Sequence, residues 1–415
     1  MLIAFLILFL IVPPPVAGAI LHRGVEVGQA RAGAAPSGSR RALWVVRDGL
    51  LSPKAIDRMV ADAAGAGITD LFVQVRGRGD AYYVSSLAPL APALRETEAT
   101  NGPFDPLARV LDRAHARNIR VHAWINVYLA SSWSPLPRGH VVDVHPEWLA
   151  VDAAGRSMGE MSRRRLQKEL TEGAYLDPAN PEVTAYLVAL GRELATNYPL
   201  DGIHLDYVRY PHMDVGYSGA ARREFRARTG FDPVVLSAHG RSRLSPARKA
   251  VLDAEWAAYK ADCVTRFVRE LRTALRQTRT GMALTAAVKP DPEIARRRYG
   301  QDWVRWIRED LVDVVTPMMY SPSLREVRRQ VALVTTEVPG DRMWAGIAVY
   351  NQSLSSAARK IEAAEDAGFG GISIFSYNSV PGGGRGLSRL RRAVGSAPLR
   401  GAPGSRPPRA VSALF

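Results

Sequence analysis

The sequence predicts an α/β fold, a single (β/α)8 TIM barrel with long loop insertions, and three observations predict it. Short segments rich in β-branched, aromatic and aliphatic residues alternate with segments of helical periodicity, which is the pattern of a parallel sheet covered by helices. There are eight such repeats, the number that closes into a barrel. The chain has 415 residues, 47% of them hydrophobic, a length beyond the usual single domain unless the fold is a barrel.

The elements follow in order. Leu2 to Val12 is an uninterrupted apolar run, followed by three prolines and Ala17-Gly18-Ala19, so residues 1–19 read as a secretory signal, or as an N-terminal anchor if uncleaved. No Lys or Arg precedes the run, which is too short to span a bilayer comfortably. Residues 20–40, rich in Gly, Ala, Arg and Ser, read as a flexible linker. The barrel is expected over 41–395. Its first strand is Arg41 to Asp48, followed by a helix opened by the cap Ser52-Pro53. Asp70 to Arg76 is the second strand, with a long loop from Gly77 to Gly102. A helix from Pro106 to Arg117 leads to the third strand, Arg120 to Val127. A connection over 128–178 then precedes the helix Pro181 to Thr196, and loops of that length are usually functional.

The fourth strand lies within Asp201-Gly-Ile-His-Leu-Asp206-Tyr-Val-Arg-Tyr-Pro211. His204 and Asp206, two apart, share one face. Asp201 lies at the other end and reads as an anchor. After an insertion to about 245, a helix around Asp253 to Gln277 precedes strand Met282 to Lys289. Helix Asp302 to Glu309, strand Val312 to Tyr320, helix 323–336, strand Arg342 to Val349, helix 354–367, strand Gly371 to Tyr377 and helix Gly386 to Val394 complete the pattern. Trp303 and Trp306 read as core. Residues 396–415, with Gly, Pro and Arg, read as a disordered tail.

The net charge of +15 would attract polyanions, but the arginines are spread among Asp and Glu as solvated faces. No nucleic-acid module is present, so no nucleic-acid partner is expected; membrane attachment is expected only through the N-terminus. Cys263 is the single cysteine, which excludes a disulfide, a cysteine metal site and an N-terminal lipid anchor. No pair of histidines has helix-turn ligand spacing, so neither metal nor cofactor is expected. The glycines Gly382 to Gly386 are by themselves weak evidence for phosphate.

In such a barrel the site is built at the carboxyl ends of the strands. Those ends carry Arg47 and Asp48; Gln74 and Arg76; His122, Trp124 and Asn126; His204 and Asp206; Lys289 and Asp291; Met318 and Tyr320; Tyr350 and Asn351; Tyr377 and Asn378. Aromatics beside amides and carboxylates suit a sugar, whose ring has apolar faces and a hydroxyl rim.

The chain resembles the glycosyl-hydrolase-like family 10 proteins over roughly residues 40–395. Arg41-Ala-Leu-Trp44, Val73-Gln-Val-Arg76, Gly79-Asp-Ala-Tyr-Tyr83, Val121 to Asn126, Leu176-Asp-Pro178, Asp201 to Pro211, Gln301-Asp-Trp303 and Thr316 to Tyr320 carry the resemblance together. It implies an exported glycosidase acting on cell-envelope glycans, including peptidoglycan strands stripped of peptide. Many members have a second Asp where this chain has Tyr207. The fourth strand is also similar to the family 18 chitinase signature, but His204 and Val208 stand at its second Asp and its Glu.

Glycoside hydrolysis uses two carboxyls flanking the bond. Asp206 is expected to be one, and Asp291, Asp80 and then Asp48 are the candidates for the other. His122, Trp124, Asn126, His204, Arg76, Tyr320 and Tyr377 are expected to hold the sugar. Two competing readings apply: Asp206 as the partner of a structural arginine, Arg209 or Arg76, and Trp124 as core. The alternative functions are a noncatalytic glycan-binding protein on the same barrel, or a lyase or deacetylase.

Overall fold

The computed structural model describes residues 40–131, 136–237 and 244–395. The expected signal, all but the last residue of the linker, and the C-terminal tail lie outside these described residues. No described helix is long and apolar enough to cross a membrane.

Strand β1 (Arg40–Val45) leads to helix α1 (Pro53–Gly65), where the Ser52 side chain accepts the Ala55 amide, as the Ser-Pro pair implies. Then come β2 (Asp70–Arg76), α2 (Pro92–Asn101), α3 (Pro106–His115) and β3 (Arg120–Asn126). The long connection carries two short helices, α4 (Val141–Val144) and α5 (Arg163–Lys168), before α6 (Pro181–Asn197) and β4 (Gly202–Asp206). The insertion contains α7 (Gly219–Thr229) and runs into α8 (Pro246–Thr278). The second half is β5 (Ala283–Val288), α9 (Pro292–Tyr299), α10 (Trp303–Arg308), β6 (Val314–Pro317), α11 (Leu324–Val334), β7 (Trp344–Ala348), α12 (Leu354–Asp366), β8 (Gly371–Phe375) and α13 (Gly383–Gly395).

The strands run parallel in the order β6-β5-β4-β3-β2-β1-β8-β7. Between β6 and β7 the barrel is nearly closed, joined by the parallel bridges Val315–Met343 and Met318–Gly346. Gly346 permits this seam, since a Cβ there would stand 2.8 Å from the Pro317 carbonyl oxygen. The first strand is shorter than expected: it ends at Val45, and Arg47–Leu50 forms a 3-10 turn. Helix α2 occupies a stretch read as loop, α7 lies in the expected insertion, and α9 lies between β5 and the expected helix from Asp302, where no element was expected. Trp303 and Trp306 are fully buried, as read.

The inward side chains stack in layers, and the strand register assigns each one. His122 lies opposite Gly202, Trp124 opposite His204, and Asn126 opposite Asp206. The lowest layer holds Asp70, fully buried, which accepts from Thr69 Oγ1 at 2.6 Å, Arg120 Nε at 2.8 Å and pairs with His122 Nε2 at 3.0 Å. Burial alone would raise this carboxyl, but the His122 hydrogen bond and charge, with Arg120 and Thr69, outweigh it and hold it at about 2. Beside it Asp201 accepts the Val121 amide at 2.8 Å and meets His115 at 2.8 Å, anchoring the amino end of β4.

The middle layer is aromatic. Trp44, Phe72, Trp124 and Trp344 form one buried cluster. Trp44 meets Trp124 edge-on at 4.7 Å, and His204 stacks on Phe72 at 3.9 Å. The interior is therefore a packed core, as barrels of this size require.

Candidate active site

The top layer begins where β4 ends. Asp206 is 6% exposed, and its Oδ1 accepts the amide of Tyr207 at 2.7 Å. That short bond follows from the backbone: Tyr207 has φ +49°, a left-handed conformation that is costly for an aromatic residue and turns the chain sharply. The turn brings Arg209 back, so that Nη1 stands 3.6 Å from Asp206 Oδ1, an ion pair too long for a hydrogen bond. Its guanidinium lies 4.3 Å over the Tyr207 ring. Burial raises the Asp206 carboxyl above its ordinary range, and Arg209 and the Tyr207 amide oppose this without cancelling it. Of the two arginines considered for Asp206, Arg209 is the one that meets it.

Lys289 extends β5 into this layer. Gln301 accepts its amide at 2.8 Å and Trp303 Nε1 donates to its carbonyl at 3.1 Å, so the Gln-Asp-Trp stretch holds the end of the strand. Burial, reinforced by the charge of Arg209, brings the Lys289 amine down to about 8. Tyr320 lies against Phe375 at 5.3 Å, and its buried hydroxyl has no hydrogen-bond partner among the described residues. Burial and the neighbouring Asp206 hold that hydroxyl well above its ordinary value.

A cavity of about 220 Å3 opens beyond β1 and β2, lined by Arg47, Asp48, Arg78, Asp80, Tyr82 and His140 among others. Asp80 Oδ1 accepts the Arg78 amide at 3.1 Å, and Arg47 Nη1 donates to Gln74 Oε1 at 3.0 Å. Burial, reinforced by the charge of Arg47, lowers the Arg78 guanidinium.

The other expected site residues stand elsewhere. Asp291 caps α9, accepting the Ile294 amide at 3.0 Å, and lines a cavity of about 590 Å3 with Glu293, Arg296 and Asp302 on the helical exterior. Tyr377 turns outward and donates to Asp62 of α1 at 2.9 Å. His122 belongs to the lowest layer and His204 to the middle one, where its Nδ1 meets Thr285 Oγ1 at 2.7 Å. Arg76, 1% exposed, binds the carbonyls of Asn126 and Val127 through Nη1, bracing the end of β3. Asn126 reaches the top layer but is engaged by the fold: it donates to the Gly77 carbonyl at 2.8 Å and accepts from Trp124 Nε1 at 2.9 Å.

Trp124 itself is 3% exposed within the middle layer, so the expected stacking platform is instead part of the core. Trp124→Ala is expected to cost about 3–5 kcal/mol of stability, as large-to-small changes in aromatic cores do, with KM unchanged in the fraction that folds. Denaturant unfolding alongside substrate kinetics checks this. Unaltered stability with a raised KM would return Trp124 to the site.

One residue absent from the expected set belongs to this region. Glu172, exposed, lies between the hydroxyls of Tyr207 and Tyr175, each 3.4 Å from one of its carboxylate oxygens. It sits in the long connection, where no periodic pattern marked it; the length of that connection was the available signal. Among the described residues no group of three or more His, Cys, Asp or Glu could hold a metal ion.

The fold is a nearly closed parallel (β/α)8 barrel that carries carboxylates, cations and aromatic rings at the carboxyl ends of its strands. The profile of the family described as Glycosyl hydrolase-like 10 matches residues 41–342, and the chain belongs to that family. The chain is 23% identical over 282 residues to glycosyl hydrolase YngK of Bacillus subtilis (strain 168), covering 63% of this chain and 48% of that one. It is 23% identical over 316 residues to glycosyl hydrolase DigH of Escherichia coli (strain K12), covering 68% of this chain and 63% of that one. It thus spans about half of the first relative and under two thirds of the second. Among solved structures, the PgaB (BpsB) glycoside hydrolase domain from Bordetella bronchiseptica superposes with a TM-score of 0.66 at 15% identity, covering 86% of this chain and 99% of that one. At that identity the likeness is one of fold.

Proposed function

We infer that the protein is an exported glycoside hydrolase of cell-envelope polysaccharide, with peptide-free peptidoglycan strands as its candidate substrate. Asp206 gives the proton to the leaving oxygen. The observation that carries this reading is the environment of Asp206: a carboxyl at the mouth of the barrel whose burial outweighs its arginine. Such a group stays protonated at a pH where an ordinary carboxyl would not, as a general acid must. The Tyr320 hydroxyl, without a hydrogen-bond partner among the described residues, and the Lys289 amine, both acted on by Asp206, are donors for sugar oxygens. The cavity beyond β1 and β2, with Arg47, Arg78 and Asp80, offers charged groups for further sugar units. Export is supported by the apolar run and the Ala17-Gly18-Ala19 stretch.

The test is digestion of peptidoglycan glycan strands freed of peptide by an amidase, followed by mass spectrometry. Shortened strands with new reducing ends are expected. Binding without shortening would instead favour a noncatalytic glycan-binding protein on the same barrel.

A further inference from the structure

Among the described residues, Glu172 is a carboxylate outside β4 that reaches the surroundings of Asp206. Tyr207, the residue after Asp206, gives its hydroxyl to Glu172 at 3.4 Å and its ring to the Arg209 guanidinium at 4.3 Å, and the charge of Glu172 is felt by Asp206, Arg209 and Lys289. Of the carboxylates expected from the sequence, Asp291 caps α9, Asp80 accepts the amide of Arg78, and Asp48 lines the cavity beyond β1 and β2 with Asp80.

The position of Glu172 is braced by its own neighbours in the chain. Beyond β3 the backbone runs alongside the end of β4, with the Val127 amide on the Asp206 carbonyl at 2.8 Å and the Tyr128 amide on the Tyr207 carbonyl at 3.3 Å. On its other side the same stretch takes up residues 174–176: Ala130 donates to the Ala174 carbonyl at 2.9 Å, and Leu176 to the Tyr128 carbonyl at 2.9 Å. Gly173 seats this strip, since a Cβ there would lie 1.7 Å from the Ser131 carbonyl oxygen. The residue next to that contact is Glu172, held above the site by the hydroxyls of Tyr175 and Tyr207.

We propose that Glu172 is the second carboxylate of the reaction, acting as the general base that activates water opposite Asp206. The assignment rests on the hydrolase reading above. Water, open to the exposed side of Glu172, bonds through its oxygen to the anomeric carbon while Glu172 takes its proton. The bond from that carbon to the leaving sugar breaks, and the leaving oxygen takes the proton of Asp206. One water is consumed, and proton exchange with solvent restores both carboxyls. Attack from the face opposite the leaving group inverts the anomeric centre.

Glu172→Gln keeps an acceptor for one tyrosine hydroxyl, offers an amide donor to the oxygen of the other, and removes the base. On peptide-free glycan strands, kcat is expected to fall by a factor on the order of 10^2 to 10^4 with KM within about threefold of the parent, the range for loss of general acid–base help. Added azide, a nucleophile that needs no base, is expected to restore turnover and to yield glycosyl azide, a signature that a merely structural role would not produce. Asp206→Asn in the same assay separates the two levels of inference. An inactive Asp206→Asn protein beside a Glu172→Gln protein within threefold of parent turnover overturns the Glu172 assignment alone. So does a loss in Glu172→Gln confined to KM, or a loss in kcat that azide leaves unrestored. Near-parent turnover in Asp206→Asn overturns the underlying hydrolase reading instead.

Discussion

Asp206→Asn is expected to fold with a melting temperature within a few degrees of the parent and to lose a factor on the order of 10^2 to 10^4 in turnover. The small effect on folding follows from opposing contributions. The carboxylate loses solvation by burial, and the amide relieves that cost; against it, Arg209 loses a partner 3.6 Å away. Arg209 keeps the Tyr207 ring, 4.3 Å below it, and the field of Glu172, so its charge is not abandoned. Were Asp206 mainly a structural partner of Arg209, the order of effects would reverse, with a loss of about 3–5 kcal/mol in stability and turnover retained by the folded fraction. Melting temperature and kcat measured on one preparation distinguish these.

The second large effect lies at the opposite end of the barrel. Asp70→Asn is expected to destabilise the fold by about 3–5 kcal/mol, because in a fully buried position it removes the charge that His122 and Arg120 meet and turns one of two occupied acceptor oxygens into a donor. Turnover per folded molecule should not change, since the aromatic middle layer separates Asp70 from Asp206. The same group sets an acid limit. Its carboxyl is lower in the folded protein than its ordinary 3.8, at about 2, so its contribution is complete above pH ~4 and is lost as the pH falls toward 2. That drop corresponds to about 2 kcal/mol. Urea unfolding between pH 5 and pH 2.5, parent against Asp70→Asn, checks it: the gap between the two proteins should narrow as the pH falls, and a constant gap would contradict it.

The period-two pattern of each strand was legible, and with it the eightfold alternation and the face to which His122, Trp124, His204 and Asp206 belong. The layer was not. Alternation says that His122, Trp124 and Asn126 point the same way, but only the register against β4 shows that they lie at three heights, with Asn126 alone level with Asp206. An aromatic or a histidine two residues below the strand end serves the core there, and this is where Trp124 and His204 fall.

Asp291 and Tyr377 differ for another reason. Asp291 precedes Pro292, and Asp followed by Pro opens a helix as readily as it ends a strand; here it caps α9. Tyr377 lies past the end of β8 in a 3-10 turn, where alternation no longer governs its direction, and Asp62 of α1 takes its hydroxyl. Glu172 was invisible because its place depends on a three-layer strip of loop, β3 extension and β4 end, assembled from segments with no shared periodicity. Gly173, whose close approach to Ser131 fixes the strip, reads in sequence only as a loop glycine.

The chemistry at Asp206 is tested most directly by digesting peptide-free glycan strands in water enriched in oxygen-18, with the parent and Asp206→Asn proteins side by side, and weighing the products. The expected result is one heavy oxygen at each new reducing end with the parent and intact strands with Asp206→Asn. Products lighter by one water, as a lyase would leave, or equal cleavage by both proteins would contradict it.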